Sequence, residues 1–121
     1  MKTMKTRSIL VVDDDPDIRD SLTFALENEG MTVRSASNGR EALEMLAQER
    51  PSLILLDLLM PEMNGWQLFE ALRADAALAG VPVIVISAAP NLGQRLPPGT
   101  RFLFKPIKLA MLLAAVEEYS P

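Results

Sequence analysis

Asp13, Asp14, Asp57, Ser87 and Lys105 each stand just after a short apolar run, and together they could do phosphorus chemistry. The runs are Ile9 to Val12, Leu53 to Leu56, Val81 to Ile86 and the three apolar residues that close the short strand Arg101 to Phe104. Three carboxylates brought close together repel unless something neutralises them. A hard divalent cation does this, and Mg²⁺ takes one or two carboxylates together with waters and phosphate oxygens. Asp57 beside such an ion can attack phosphorus and form an acyl phosphate. An ammonium at Lys105 would offset charge on the transferring group. A hydroxyl at Ser87 could donate to a phosphoryl oxygen once one is present, which makes a local switch.

Such convergence requires the runs to be neighbouring parallel strands that end at one edge. A continuous apolar run such as Leu53-Ile54-Leu55-Leu56 suits a strand buried on both faces, as in a parallel sheet. In open α/β sheets the carboxyl end of the strands is where ligands bind. The connecting segments read as helices. Asp15 followed by Pro16 is an N-cap with proline at the first helical position. Ile18, Leu22, Ala25 and Leu26 then follow helical spacing, and Gly30 ends the helix. Met31 to Ser35 is a second, weaker strand. Asn38 to Glu41 forms a capping box, and Ala42, Leu43, Leu46 and Ala47 carry the next apolar face, closed by Pro51. Asn64 caps a third helix with Leu68, Phe69 and Leu72 inward. Val81 to Ile86 and Arg101 to Phe104 are strands four and five, and a last helix covers about Ile107 to Tyr119. The repeated βα pattern predicts an α/β fold with a five-stranded, doubly wound parallel sheet. Its exception is Ala88 to Thr100, where Pro90, Gly93, Pro97, Pro98 and Gly99 oppose a full helix.

Composition narrows the chemistry further. The chain has 121 residues, enough for one domain with its own core. Its net charge of −4 argues against direct nucleic-acid binding, which needs a basic face. With no cysteine and no histidine there is no thiolate nucleophile, no imidazole metal ligand and no phosphohistidine on this chain. Residues 1–7 read as a short basic tail. No apolar stretch approaches a membrane span, so a cytoplasmic protein is expected.

VVDDD at 11–15, LLDLLMPEMNG at 55–65, Ser87-Ala88 and FKP at 104–106 resemble the receiver (CheY-like) domain of two-component response regulators. The resemblance covers nearly the whole chain, with residues 8–119 as the receiver domain. It implies a flavodoxin-like sheet of order 2-1-3-4-5. It implies Asp57 as phosphoacceptor and Asp13 and Asp14 as the acidic pair holding Mg²⁺, with Leu59 lending a backbone carbonyl. Ser87 and Lys105 match the switch hydroxyl and the lysine of the family's site, and Phe102 matches its aromatic switch residue. The expected function is that of a phosphoacceptor, a single-domain response regulator in a phosphorelay. Its donor would be a histidine kinase or phosphotransfer protein, and its target an unidentified protein. A monomer or weak dimer is expected. Only 17 residues separate Ser87 from Lys105. Receivers usually have about four more there, including a fourth helix, where βα connections are short. A fourth helix shortened or replaced by a Pro/Gly-rich loop is therefore expected, with an output face unlike the usual one.

Other functions fit less well. A haloacid-dehalogenase-type phosphatase wants a second aspartate two residues after the nucleophile, where this chain has Leu59. A nucleotide-binding module wants a glycine-rich first turn, where this chain has three aspartates. The remaining alternative is a pseudo-receiver, a docking module that works without phosphate. Two details carry further expectations. Leu59 and Ala89 flank the expected path of water to the acyl phosphate, and neither can orient it. In the last helix, Leu109, Leu112, Leu113 and Val116 form one apolar stripe. Met111, Ala115 and Tyr119 form a second, read as cover for core surface in slight preference to an interface. Phe102 and Phe104 alternate along strand five, which leaves one of them a candidate for the core.

Overall fold

The computed structural model describes residues 8–57, 65–88 and 101–118. In chain order the elements are β1 (Ser8–Val12), α1 (Pro16–Glu27), β2 (Thr32–Ala36), α2 (Gly39–Gln48), β3 (Leu53–Asp57), α3 (Gly65–Ala74), β4 (Val83–Ser87), β5 (Arg101–Phe104) and α4 (Leu109–Glu118). The strands form one sheet of order β2-β1-β3-β4-β5, with every neighbouring pair parallel. This is the expected doubly wound architecture. The expected loss of a helix between β4 and β5 falls on residues 89–100, outside the described residues. So do Asn64, Tyr119 and the basic tail.

The sheet divides its side chains between two cores because successive residues of a strand face opposite ways. Ile9, Val11, Leu53, Leu55, Ile84, Ile86 and Leu103 pack with Leu22 and Leu26 of α1 and Leu112, Ala115 and Val116 of α4. Leu10, Val12, Ile54 and Leu56 pack with Ala42 and Leu46 of α2 and Leu68 and Leu72 of α3. β3 lies between β1 and β4 and is buried at all five positions. That explains its unbroken apolar run, since neither face meets water. No helix among the described residues is long and apolar enough to cross a membrane.

Local chemistry sets the helix ends. The Asp15 carboxylate accepts from the Asp17 and Ile18 backbone N–H groups, with Pro16 at the first turn. Gly30 sits at φ 87°, where a side chain would be strained. Its N–H donates to Glu27 O, and the Met31 N–H donates to Leu26 O, closing the end of α1. At α2 the Asn38 side chain accepts from the Glu41 N–H, while Glu41 Oε1 reaches back to the Ser37 N–H. Asn38 and Glu41 thus close the start of α2 between them, as the expected capping pair does.

Several expectations need correction. β2 is Thr32–Ala36, one residue later than expected, because the Met31 N–H closes α1 while Ala36 pairs with Val12. β4 begins at Val83, with Val81 and Pro82 leading into it. Ala47 is exposed, and Met45 and Leu43 fill the flank of α2 instead. Neither Phe102 nor Phe104 belongs to the core. Residues two apart share one face of a strand, and here the core takes Leu103 between them. The second stripe of the last helix splits. Ala115 is fully buried, whereas Met111 is 55% exposed and so does not cover core. Leu109 of the first stripe is exposed as well. Met111→Glu should therefore change stability by no more than about 0.5 kcal/mol, as surface substitutions do. A thermal melt checks this, and a large loss of Tm would return Met111 to the core.

Candidate functional site

The carboxyl edge of the sheet gathers the charged residues. Asp13 follows β1, Asp57 ends β3 and Lys105 follows β5. Val11 pairs with Leu55 and Val12 with Leu56, so the same register carried one step further sets Asp13 level with Asp57. Each of the three continues the alternation that puts Val11, Leu55 and Leu103 in the α1/α4 core. They therefore emerge on one face of the sheet.

Asp13 and Asp57 are buried, at 1% and 4% exposure. Two carboxylates held side by side out of water need a counter-charge. Lys105 supplies it, with Nζ 3.1 Å from Asp13 Oδ2 and 3.3 Å from Asp57 Oδ2. Burial by itself pulls the Lys105 pKa down. The short contact to Asp13 and the charges of Asp57 and Asp13 outweigh that pull, so its pKa lies above the ordinary lysine value. The Lys105 backbone is tied in as well, its N–H donating to Ser87 O at 3.0 Å.

The turn between β1 and α1 is held on three sides. The Asp13 N–H donates to Ala36 O at 3.1 Å, extending the ladder by one residue. Asp13 Oδ1 accepts from the Asp15 N–H at 2.9 Å. Arg19 Nη1 donates to the Asp13 carbonyl oxygen at 2.8 Å. Asp14 stands between these fixed points with its side chain exposed.

The donor set fits a hard cation. One carboxylate oxygen from each of Asp13, Asp14 and Asp57 lies within 4.8 Å of the other two. Asp13 Oδ2 is buried and takes no hydrogen bond. Lys105 Nζ stands 3.1 Å from it as an ion pair, and a carboxylate oxygen so placed keeps a lone pair for a ligand. Oxygen-only donors suit Mg²⁺, which takes one or two carboxylates directly and keeps several waters through which a third can act.

The remaining expected residues are placed unevenly. Ser87 is fully buried at the end of β4, one residue beyond Ile86, the register partner of Asp57. Phe102 pairs with Val85 inside the strand and is half-buried. Its ring packs on that of the exposed Phe104, with centroids 4.8 Å apart. Leu59 and Ala89 lie outside the described residues. Arg19 joins the site without a signal in the sequence. Its partner is a backbone oxygen six residues away, and no side-chain motif announces such a bond.

An acidic pocket with a lysine, at the carboxyl edge of a parallel sheet of order 2-1-3-4-5, defines a narrow class of α/β domain. Residues 9–117 match the family model of the response regulator receiver domain, and the chain belongs to that family. It is 40% identical to an uncharacterized 14.6 kDa protein of Leptolyngbya boryana, over 98% of this chain and 94% of that one. It is 39% identical to the DNA-binding response regulator MtrA of Mycobacterium tuberculosis, over 96% of this chain and 51% of MtrA. This chain thus spans about half the length of MtrA. Among solved structures it resembles the signal receiver domain of a signal transduction histidine kinase from Syntrophus aciditrophicus. That match has a TM-score of 0.86 and 35% identity, covering 94% of this chain and 89% of the other.

Proposed function

We propose that this receiver domain, residues 8–119 behind a basic tail of residues 1–7, is a phosphoacceptor in a two-component phosphorelay. An Asp57 carboxylate oxygen attacks the phosphorus of a partner's phosphohistidine. The new bond is the acyl phosphate O–P bond; the bond that breaks is the partner's N–P bond, and the imidazole leaves with that electron pair. The observation that carries this reading is the Lys105 ammonium set between Asp13 and Asp57, with Asp14 beside them. A docking-only pseudo-receiver has no need of that arrangement. The domain assists its own phosphorylation and dephosphorylation and turns over no other substrate.

Asp13, Asp14 and Asp57, with the Leu59 carbonyl, would hold Mg²⁺. The ion, when bound, supplies positive charge that offsets the phosphoryl oxygens. Lys105 adds a second positive charge on the same oxygens. Ser87 donates its hydroxyl to the phosphoryl group, and the resulting shift reaches the Phe102 face of β5. The donor is a histidine kinase or phosphotransfer protein in the cytoplasm. MtrA is named as DNA-binding, but a net charge of −4 disfavours direct DNA contact by this chain, so its target is a protein.

Intact mass after incubation with Mg²⁺ and acetyl phosphate tests the reading. One phosphate increment is expected, absent in EDTA and strongly reduced in Asp14→Ala. Full labelling in EDTA would remove the metal from the scheme. The acyl phosphate, once formed, should persist for minutes or longer without a phosphatase, because Leu59 and Ala89 cannot orient an attacking water. Loss of the increment within seconds would contradict that expectation.

A further inference from the structure

We infer that Arg19 is a positioning residue for the metal-holding turn, acting through the Asp13 carbonyl rather than touching the ion. The inference rests on the Mg²⁺ reading above and goes beyond it. Asp14 is the one exposed member of the acidic cluster, so packing does not aim its carboxylate. Its direction is set by its backbone, and the peptide plane that begins Asp14 carries the Asp13 carbonyl. Arg19 Nη1 holds that oxygen at 2.8 Å. Among the described residues no carboxylate lies within 4.0 Å of the Arg19 side-chain nitrogens. The half-buried Arg19, at the acidic turn, is thus committed to one backbone oxygen, although a direct ion pair with a carboxylate would be the stronger bond. A backbone carbonyl leaving a strand needs a donor, and Arg19 gives this one a charged donor. Without Arg19 the turn keeps its ties at the Asp13 and Asp15 N–H groups but loses the one on the plane between Asp13 and Asp14, which tilts and carries the Asp14 carboxylate away from the other two.

Charge and position predict opposite signs, which makes the role measurable. Removing a positive charge near a cation site strengthens cation binding if charge is all that Arg19 contributes. Losing the support of a ligand weakens metal binding by about 10-fold or more. Calorimetric titration of the full chain with Mg²⁺ should give a Kd about 10-fold higher for Arg19→Met than for the parent. The added Tm on saturation with Mg²⁺ should shrink in parallel. A purely structural role would lower Tm in EDTA and leave Kd unmoved. Unchanged or tighter Mg²⁺ binding overturns the inference. Arg19→Gln, neutral and shorter but still an amide donor, is read by the same criterion should Arg19→Met not fold. Failure of the parent to bind Mg²⁺ is a separate result: it sinks the metal reading, and this inference with it.

Discussion

Asp57→Asn is expected to take up no phosphate from acetyl phosphate or from a phosphohistidine donor under conditions that label the parent fully. The asparagine keeps the shape of the side chain and loses the anionic oxygen that attacks phosphorus. The fold should survive the change, because Lys105 keeps Asp13 as its counter-ion at 3.1 Å. One of two crowded negative charges disappears, which relieves repulsion while an ion pair is lost. These effects oppose one another, so stability should move by about 1 kcal/mol or less, roughly 4 °C in Tm. Intact mass and a thermal melt on the same sample separate loss of chemistry from loss of structure. Persistent labelling of a folded Asp57→Asn protein would place the acceptor elsewhere.

Lys105→Met should give the second large effect, and it should differ with and without Mg²⁺. The substitution leaves Asp13 and Asp57 side by side at 1% and 4% exposure with no ammonium between them. Breaking a buried pair by removing one partner costs about 3–5 kcal/mol. The Lys105 side chain retains 19% exposure, so water can enter and the lower end, about 3 kcal/mol, applies. Mg²⁺ should recover much of that loss and bind more tightly than in the parent, because it takes over the neutralising role. Phosphorylation should slow by about 100-fold, the usual cost of removing one group that stabilises transition-state charge. The pH dependence follows from the raised Lys105 pKa. Its contribution is complete below the pKa of an unfolded-state lysine and is lost as pH rises through the higher folded value. The stability gap between parent and Lys105→Met should thus be constant across neutral pH and close only in strongly alkaline solution. Equal melting curves for the two proteins in EDTA at neutral pH would mean that the ammonium does not hold the acids together.

Much of the architecture could be read from local signals. Asp15-Pro16 predicted the start of α1, and Gly30 its end. The unbroken Leu53 to Leu56 run predicted a strand covered on both sides. These are legible because capping, φ preference and burial of a whole strand act within a few residues. Local signals fail where a residue's partner lies on another element. Met31 continues the alternation of β2, yet its N–H serves the end of α1. Phe102 and Phe104 are as apolar as Leu103, and of the three the core takes Leu103. Met111 lies on an apolar stripe, yet it faces outward.

The same division runs through the site. The sequence by itself determined that Asp13, Asp14, Asp57 and Lys105 follow strand-like runs, and parallel order then requires them to share an edge. It also ruled out histidine and cysteine chemistry, since the chain contains neither residue. Only the tertiary structure decided how the acids divide their tasks. Register sets Asp13 beside Asp57, strand alternation turns both towards Lys105, and the exposed Asp14 is left to the geometry of its turn. Arg19 belongs wholly to this second group. Its bond joins a helix side chain to a strand-end carbonyl, and such a distance closes only when α1 packs back against β1.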